Sequence, residues 1–139
     1  MTDLLYRRFP VLAAALWWGS LSAIGFVAVP MLFAHLPTPA MAGQMAAKLF
    51  AAQTYISIAA CACLLVLSKK KHAEKPEEWA QAAIVFVILG LLLALLVQYG
   101  VAPRIVARQN LKLWHGVGTV MYAGQWLCAL AVLWRTAKR

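Results

Sequence analysis

Four long stretches of the chain contain no Asp, Glu, Lys or Arg and are dominated by apolar residues. These windows cover residues 9–47, 49–68, 79–103 and 113–134. A hydrocarbon core of about 30 Å is crossed by a helix of about 20 apolar residues. The windows supply that length four times, so the pattern predicts an all-α fold, a four-helix transmembrane bundle. We expect the spans at about residues 10–36, 39–68, 79–102 and 113–134.

Prolines and polar clusters set the expected ends of these spans. Thr38-Pro39 is a cap residue followed by proline, a signal for the start of a helix. The second helix should end near Leu67, and the charged stretch 69–78 should form a solvated loop. Pro103 should end the third helix. The sequence does not decide whether residues 104–112 are helical.

The overall composition agrees with a single membrane domain. Of the 139 residues, 64% are hydrophobic, whereas soluble domains have roughly 45–50% apolar residues. The net charge of +9 raises the question of nucleic acid. However, the basic residues stand in short clusters beside the spans, where membrane anchors are expected. We therefore predict membrane lipids as partners and exclude nucleic acid. Small-residue faces on the first and fourth helices also allow a homo-oligomer.

Charge is divided unequally between the two ends of the predicted bundle. The end that carries both termini has nine basic residues, and the opposite end has four. By the positive-inside rule, the richer end faces the cytoplasm, so we expect both termini inside and a multi-pass protein of the bacterial inner membrane. The acidic side chains of the chain are Asp3, Glu74, Glu77 and Glu78, all at the predicted inner end. The outer end is therefore cationic and free of acids.

Polar residues recur along the apolar helices and predict a ligand-binding pocket that opens outward. His115, Thr119, Tyr122 and Gln125 follow one another at spacings of four, three and three on the fourth helix. Lys48 and Tyr55 are expected on one face of the second helix, with Gln53, Thr54 and Ser57 deeper in it. An equally supported alternative is a hydrogen-bond network that only fixes helix packing.

Arg104, Arg108 and Lys112 are spaced four residues apart at the outer end. If this segment is helical, they form one cationic ridge close to His115, and their mutual repulsion indicates a nearby anion. A phospholipid head group is the simplest such anion. A functional anion, such as a phosphate, a carboxylate ligand or a cofactor propionate, is the alternative.

Metal or haem binding is a second interpretation of the outer end. Met31 and His35 are four residues apart, as are Met41 and Met45, and thioether and imidazole groups suit Cu(I). His35 and His115 are also candidate axial ligands of haem. Nearby cations disfavour a metal ion, so no cofactor is predicted, with haem and Cu(I) kept as alternatives. The three cysteines, Cys61, Cys63 and Cys128, are expected to pack as small apolar residues.

Two stretches of the chain resemble a known family. Leu36-Pro37, Ala42-Gly43, Lys48-Leu49-Phe50 and Tyr55 form the first, and Pro103, Arg108, Trp114-His115-Gly116 and Tyr122 the second. With the span pattern, they are similar to the transmembrane protein 205-like family of four-helix proteins, whose bacterial members are catalogued as a domain of unknown function. Ala51 departs from the family pattern, which has proline there. The resemblance implies no established reaction. In architecture the chain also resembles copper-resistance-type and protoporphyrinogen-oxidase-type four-helix membrane proteins.

Together, these patterns predict a membrane protein that binds or transports a small anionic or amphiphilic solute. The predicted ligand-binding residues are Lys48, Tyr55, Arg104, Arg108, Lys112, His115, Thr119, Tyr122 and Gln125. The alternatives are a copper- or haem-related protein that uses His35 and His115, with Met31 in support, and a structural partner subunit. No carboxylate pair, phosphate loop or Ser-His-Asp set is visible, so an enzyme is not expected.

Overall fold

The computed structural model of the chain describes residues 2–74 and 78–138, and the regular structure in those residues is helical. The helices are α1 (Thr2–Ser22), α2 (Val29–His35), α3 (Pro39–Glu74), α4 (Glu78–Leu96), α5 (Ala102–Val106) and α6 (Leu111–Ala137). Two π-helical segments, Ala23–Ala28 and Val97–Val101, join α1 to α2 and α4 to α5. These elements form four segments long and apolar enough to cross a membrane: span 1 (Arg7–His35), span 2 (Pro39–Lys69), span 3 (Ala80–Val106) and span 4 (Leu111–Ala137). The predicted all-α, four-helix bundle is confirmed.

Helix α3 continues well beyond the end that the sequence predicts. It runs to Glu74 and so includes residues that we expected in the solvated loop. The lysines that follow Ser68 are good helix formers, and the first proline after them is Pro76. Charge alone therefore does not end the helix. Residues 75–77 of the predicted loop lie outside the described residues.

Both π-helical segments stand just before a proline. Pro30 follows the first segment by two residues, and Pro103 follows the second by two. Proline in a helix lacks the N–H donor and clashes with the carbonyl four residues earlier. Widening the preceding turn relieves that clash. The backbone N–H groups of Val29 and Ala102 accordingly reach back five residues, to the carbonyls of Ile24 and Val97.

The connection between spans 3 and 4 is a helix, a turn and a second helix. Span 3 passes through Pro103 and ends at Val106, and residues 107–110 form the turn. Arg108 and Asn110 both adopt left-handed backbone conformations, with φ of 56° and 32°. Asn110 begins α6 by accepting a hydrogen bond from the Leu113 N–H through its side-chain oxygen, at 3.4 Å. The segment 104–112 is therefore not one helix.

The four spans form a ring in which each packs against its neighbours in the sequence and span 4 returns to span 1. The centre is filled by Trp17, Leu21, Cys61, Val87 and Val132, all buried. Gly90 gives the Trp17 indole its space, because a Cβ built at Gly90 would lie 2.5 Å from Trp17 Cη2. Small residues allow membrane helices to approach closely in this way.

Candidate functional site

One end of the bundle, at which spans 1 and 3 end and spans 2 and 4 begin, collects cations without acids. We call it the acid-free end, since every carboxylate side chain of the sequence belongs to residues 3 or 74–78. Its charged residues are Lys48, Arg104, Arg108 and Lys112, and all four side chains are exposed, as is His115. Exposed cations keep their hydration and can accept an anion without the cost of burying a lone charge.

The turn between spans 3 and 4 separates the three predicted cations of the connection. Arg104 lies in α5, Arg108 in the turn and Lys112 in the first turn of α6. They do not form the ridge of a continuous helix that their spacing would give. Arg104 instead lies across the Trp114 ring, with its Cζ 4.4 Å from the ring centroid, within the range of a cation–π contact. This contact ties the end of span 3 to the start of span 4.

The backbone at the start of α6 adds to the positive potential of this end. The first N–H groups of a helix have no intrahelical partner and carry the positive end of the helix dipole. In α6 they lie beside Lys112 and follow directly on the turn that carries Arg108. The Asn110 side chain occupies the Leu113 N–H. The cationic side chains and the start of α6 thus both attract an anion.

Lys48 and Tyr55 lie on the same exposed face of span 2, as their spacing of seven residues predicts. Tyr55 is 68% exposed and faces away from the bundle. Thr119 is exposed on span 4, and its hydroxyl donates to the His115 carbonyl of the same helix at 2.7 Å. The side chains of Lys48, Tyr55 and Thr119 are all exposed, so these three residues do not line an enclosed pocket.

Tyr122 turns inward and fastens span 4 to span 1. Its hydroxyl donates to the Leu21 carbonyl at 2.6 Å, two residues before the first π-helical segment. A Cβ at Gly25 would lie 2.5 Å from the Tyr122 ring, so glycine makes this approach possible. The ring also meets Phe50 of span 2 edge to face, at a centroid distance of 5.4 Å. Tyr122 therefore belongs to the packing of the bundle.

Gln125 lies in a buried polar network at the middle of the spans. Its Oε1 accepts hydrogen bonds from Ser57 Oγ at 2.8 Å and from Trp17 Nε1 at 3.3 Å. Trp17 Nε1 also donates to Ser57 Oγ at 3.1 Å. Gln53 Nε2 extends the network by donating to Ser57 Oγ at 3.3 Å and to Ser20 Oγ at 3.0 Å. We call these five residues the central network; it links spans 1, 2 and 4.

The nine predicted ligand-binding residues thus fall into two groups. Tyr122 and Gln125 are engaged inside the bundle, while the other seven side chains are exposed. Sequence reasoning missed Trp17 and Ser20 as polar partners. The signal was present: an indole N–H in the middle of a span needs an acceptor, and a serine three residues later lies on a nearby face.

The residues of the copper or haem alternative lie at the acid-free end. His35 and Met31 are exposed, and His35 Nδ1 lies 3.0 Å from the Met31 carbonyl oxygen of its own helix. Across residues 2–74 and 78–138, no group of three or more His, Cys, Asp or Glu side chains could hold a metal ion together. Copper or haem binding stays a prediction.

Comparison with known protein families finds a match to a model described as Domain of unknown function (DUF4149), over residues 12–113. The chain belongs to the DUF4149 family. No curated protein and no solved structure matches it. The transmembrane protein 205-like assignment stays a prediction.

The DUF4149 match covers most of spans 1 to 3 and ends just inside span 4. It includes Lys48 and the whole cationic turn with Arg104, Arg108 and Lys112. It also includes most of the central network, although Gln125 lies beyond it. The description of the family names no ligand and no reaction.

Proposed function

We propose that this DUF4149 protein binds an anionic amphiphile in the membrane and holds the anionic group at its acid-free end. The observation that carries the proposal is the set of exposed cations at that end, none of which has a carboxylate nearby in the sequence to neutralise it. Arg104, Arg108 and Lys112 supply the main attraction. Lys48 and His115 extend the cationic surface on the neighbouring spans.

An amphiphile fits better than a free inorganic anion, because apolar side chains surround the cations. Val106 is 72% exposed between Arg104 and Arg108, and Leu111 and Leu113 are exposed on either side of Lys112. In a bilayer these side chains face the upper part of the acyl chains. A ligand with an anionic head and an apolar tail satisfies both kinds of surface at once.

Binding at the end of the bundle is better supported than passage through its middle. Trp17, Leu21 and Ser57 have no exposed surface and fill the centre. A solute that crossed the bundle would have to displace the Trp17 indole and break the bonds of the central network. We therefore propose that the protein binds the amphiphile and does not convert it chemically. Transport of the amphiphile stays a prediction.

The test is ligand binding by purified protein in which three charges have been removed from one end. In the first variant Arg104, Arg108 and Lys112 are each replaced by alanine. The matched control replaces Arg7, Arg8 and Lys138, which are exposed at the opposite end and carry the same total charge. Native mass spectrometry and vesicle titration would measure the affinity of each protein for these ligands. Phosphatidylglycerol is compared with phosphatidylcholine, and lauryl phosphate with inorganic phosphate.

We expect the first variant to lose roughly a hundredfold in affinity for phosphatidylglycerol, since a cation near the surface contributes about 1 kcal/mol. The control should lose much less, and phosphatidylcholine binding should not change in either. Equal losses in both variants would show a general charge effect and overturn the proposal. Binding of inorganic phosphate as tight as that of lauryl phosphate would exclude the amphiphile.

We also infer that both termini face the cytoplasm of a bacterial cell and that the acid-free end faces outward. The nine-to-four division of basic residues supports this orientation. Fusions at the C-terminus test it: a green fluorescent protein should fluoresce there and alkaline phosphatase should be inactive. The opposite pair of results would reverse the orientation.

A further inference from the structure

Spans 1 and 4 meet firmly at the depth of Tyr122 and Trp126. The Tyr122 hydroxyl donates to the Leu21 carbonyl, and Trp126 Nε1 donates to Ser22 Oγ at 2.8 Å. The Trp126 ring also meets Phe26 of span 1 edge to face, at a centroid distance of 5.7 Å. The interface between the two spans is therefore closed at this depth.

The same face of span 4 is uncovered nearer the acid-free end. Thr119 precedes Trp126 by seven residues and His115 precedes Thr119 by four, so all three lie on one face of α6. Trp126 is half-buried against span 1, whereas Thr119 and His115 are exposed. Helix α2, the last part of span 1, packs against α3 rather than along α6. A groove therefore opens between spans 1 and 4 on the acid-free side of Tyr122.

Burial along both spans follows the same division. In span 1, Ala14, Trp17 and Leu21 are buried, but no residue of the following π-helical segment or of α2 is buried. In span 4 the buried residues begin at Gln125, and residues 111–124 contain none. Each span thus has a covered half and an accessible half, and the two accessible halves lie at the same end of the bundle.

The span 1 side of this groove is apolar. Val29 and Phe33 follow Phe26 by three and seven residues, so they continue the face of span 1 that meets Trp126. Phe33 is 51% exposed, and Val29 is half-buried. An apolar chain that lay in the groove would contact both side chains.

The span 4 side can also accept an apolar chain. The Thr119 hydroxyl donates to the His115 carbonyl of its own helix, so covering Thr119 leaves no hydroxyl hydrogen unpaired. We call this opening the outer groove. Its residues are Val29 and Phe33 of span 1, His115 and Thr119 of span 4, and Tyr122 at its closed end.

The length of the outer groove matches one leaflet of a bilayer. Lys112 stands at its open end and precedes Tyr122 by ten residues, which is about 15 Å at 1.5 Å per residue. This is half of a hydrocarbon core of about 30 Å. A lipid whose anionic head lies beside Lys112 and Arg108 therefore has its acyl tails at the depth of the groove.

Charge favours a lipid over a second copy of the chain as the occupant. Two copies with the same orientation in a membrane would bring two acid-free ends together. Their exposed cations would then repel each other, since the sequence has no carboxylate at that end to separate them. An anionic phospholipid supplies the charge that this end lacks.

We propose that the outer groove binds one acyl tail of an anionic phospholipid, which enters sideways from the surrounding bilayer. The head group stays with the cations of the acid-free end, and the tail ends against Tyr122. This inference rests on the proposed function, and it adds the source of the amphiphile and the place of its tail.

A tryptophan placed in the groove tests the inference. Thr119→Trp fills the groove, whereas Val120→Trp adds the same bulk one position on, about 100° around the helix, where Val120 is 72% exposed. We expect Thr119→Trp to weaken phosphatidylglycerol binding roughly tenfold, because the indole and the tail compete for one space. Val120→Trp should stay near the wild type. Native mass spectrometry and vesicle titration measure both.

Photo-cross-linking of the wild type gives a second measurement that needs no substitution. The probe is phosphatidylglycerol with a diazirine at the end of one acyl tail, and peptide mapping locates the labelled residues. We expect labels concentrated in residues 26–36 of span 1 and 112–122 of span 4. Labels spread evenly over all four spans would overturn the groove.

The outcomes separate this inference from the proposed function. If removing Arg104, Arg108 and Lys112 weakens phosphatidylglycerol binding but Thr119→Trp does not, the head group binds as proposed and the groove is refuted. If removing those cations changes nothing, the proposed function itself fails. A dimer that Thr119→Trp dissociates would show that a second copy occupies the groove, and that too would overturn the inference.

Discussion

The centre of the bundle and its acid-free end both hold polar groups, but the groups in the centre pack inside the bundle and those at the acid-free end are exposed. In the centre, neutral side chains from three spans are buried and bond to one another, as Ser57 does to Gln125. At the acid-free end, four charged side chains are exposed and have no acids to pair with. The difference follows from the cost of burial, which is modest for a hydrogen-bonded amide and large for a lone charge.

This contrast assigns different roles to the two regions. A buried network in lipid fixes which helix faces meet, because each broken bond leaves a polar group in an apolar medium. An exposed cation contributes little to the packing of the bundle, but it is free to attract an anion. Substitutions in the centre should therefore change stability, and substitutions at the acid-free end should change ligand binding.

The largest effect is expected from Gly90→Ala. The new methyl would lie 2.5 Å from Trp17 Cη2 and 3.3 Å from Cys128 Cβ, and Trp17 is fully buried, with no space to move. We expect a loss of about 1–3 kcal/mol in the free energy of unfolding, measured by thermal or denaturant unfolding in detergent.

Gly43→Ala is the control for this substitution, because nothing lies within 4 Å of its Cβ position. Alanine should be neutral or slightly stabilising there, since it gains up to about 1 kcal/mol of helix propensity. Equal destabilisation by both substitutions would mean that the Gly90 contact with Trp17 does not limit the packing.

A smaller loss is expected from Gln125→Met, which keeps the size of the side chain and removes its acceptor. Ser57 Oγ and Trp17 Nε1 would lose a partner, at a cost of about 1–2 kcal/mol. Combined with Ser57→Ala, the change should be less than additive, because both variants break the same bond. Gln81→Met, at an exposed position, should remain near the wild type; a comparable loss there would show that the effect is not specific to the network.

The sequence predicts the spans well because a charge-free window of sufficient length has few alternatives to crossing a membrane. It predicts the fourth helix less well. The spacing of His115, Thr119, Tyr122 and Gln125 suggests one stripe, but six residues at 100° each separate Thr119 from Gln125 by about 120° around the helix. Thr119 is accordingly exposed and Gln125 buried. An angle of that size places two residues on different faces of a helix.

Contacts between spans depend on information that one helix does not contain. The space for Trp17 comes from Gly90, and the acceptor for its indole N–H comes from Ser57 and Gln125. Residues 104–112 show the same limit within a connection. Their spacing fits a helix, but the left-handed conformations of Arg108 and Asn110 end α5 and begin α6. The order of the cations in space follows from that turn.

Two substitutions at Asn110 give the smallest effects and separate stability from binding most sharply. Asn110→Ala removes the oxygen that accepts the Leu113 N–H. It should lower the free energy of unfolding by about 1 kcal/mol, as the loss of a helix cap usually does. The cations are untouched, so phosphatidylglycerol binding should stay close to that of the wild type.

Asn110→Asp should do the reverse. Aspartate also caps helices, and its charge interacts favourably with the start of α6, so stability should be kept or rise by about 0.3–1 kcal/mol. However, it places the first carboxylate at the acid-free end, next to Arg108 and Lys112. By cancelling about one cation it should weaken phosphatidylglycerol binding roughly fivefold. Unfolding curves and vesicle titrations on the same two proteins measure both quantities. If binding followed stability in both variants, the division between a structural centre and a binding end would fail.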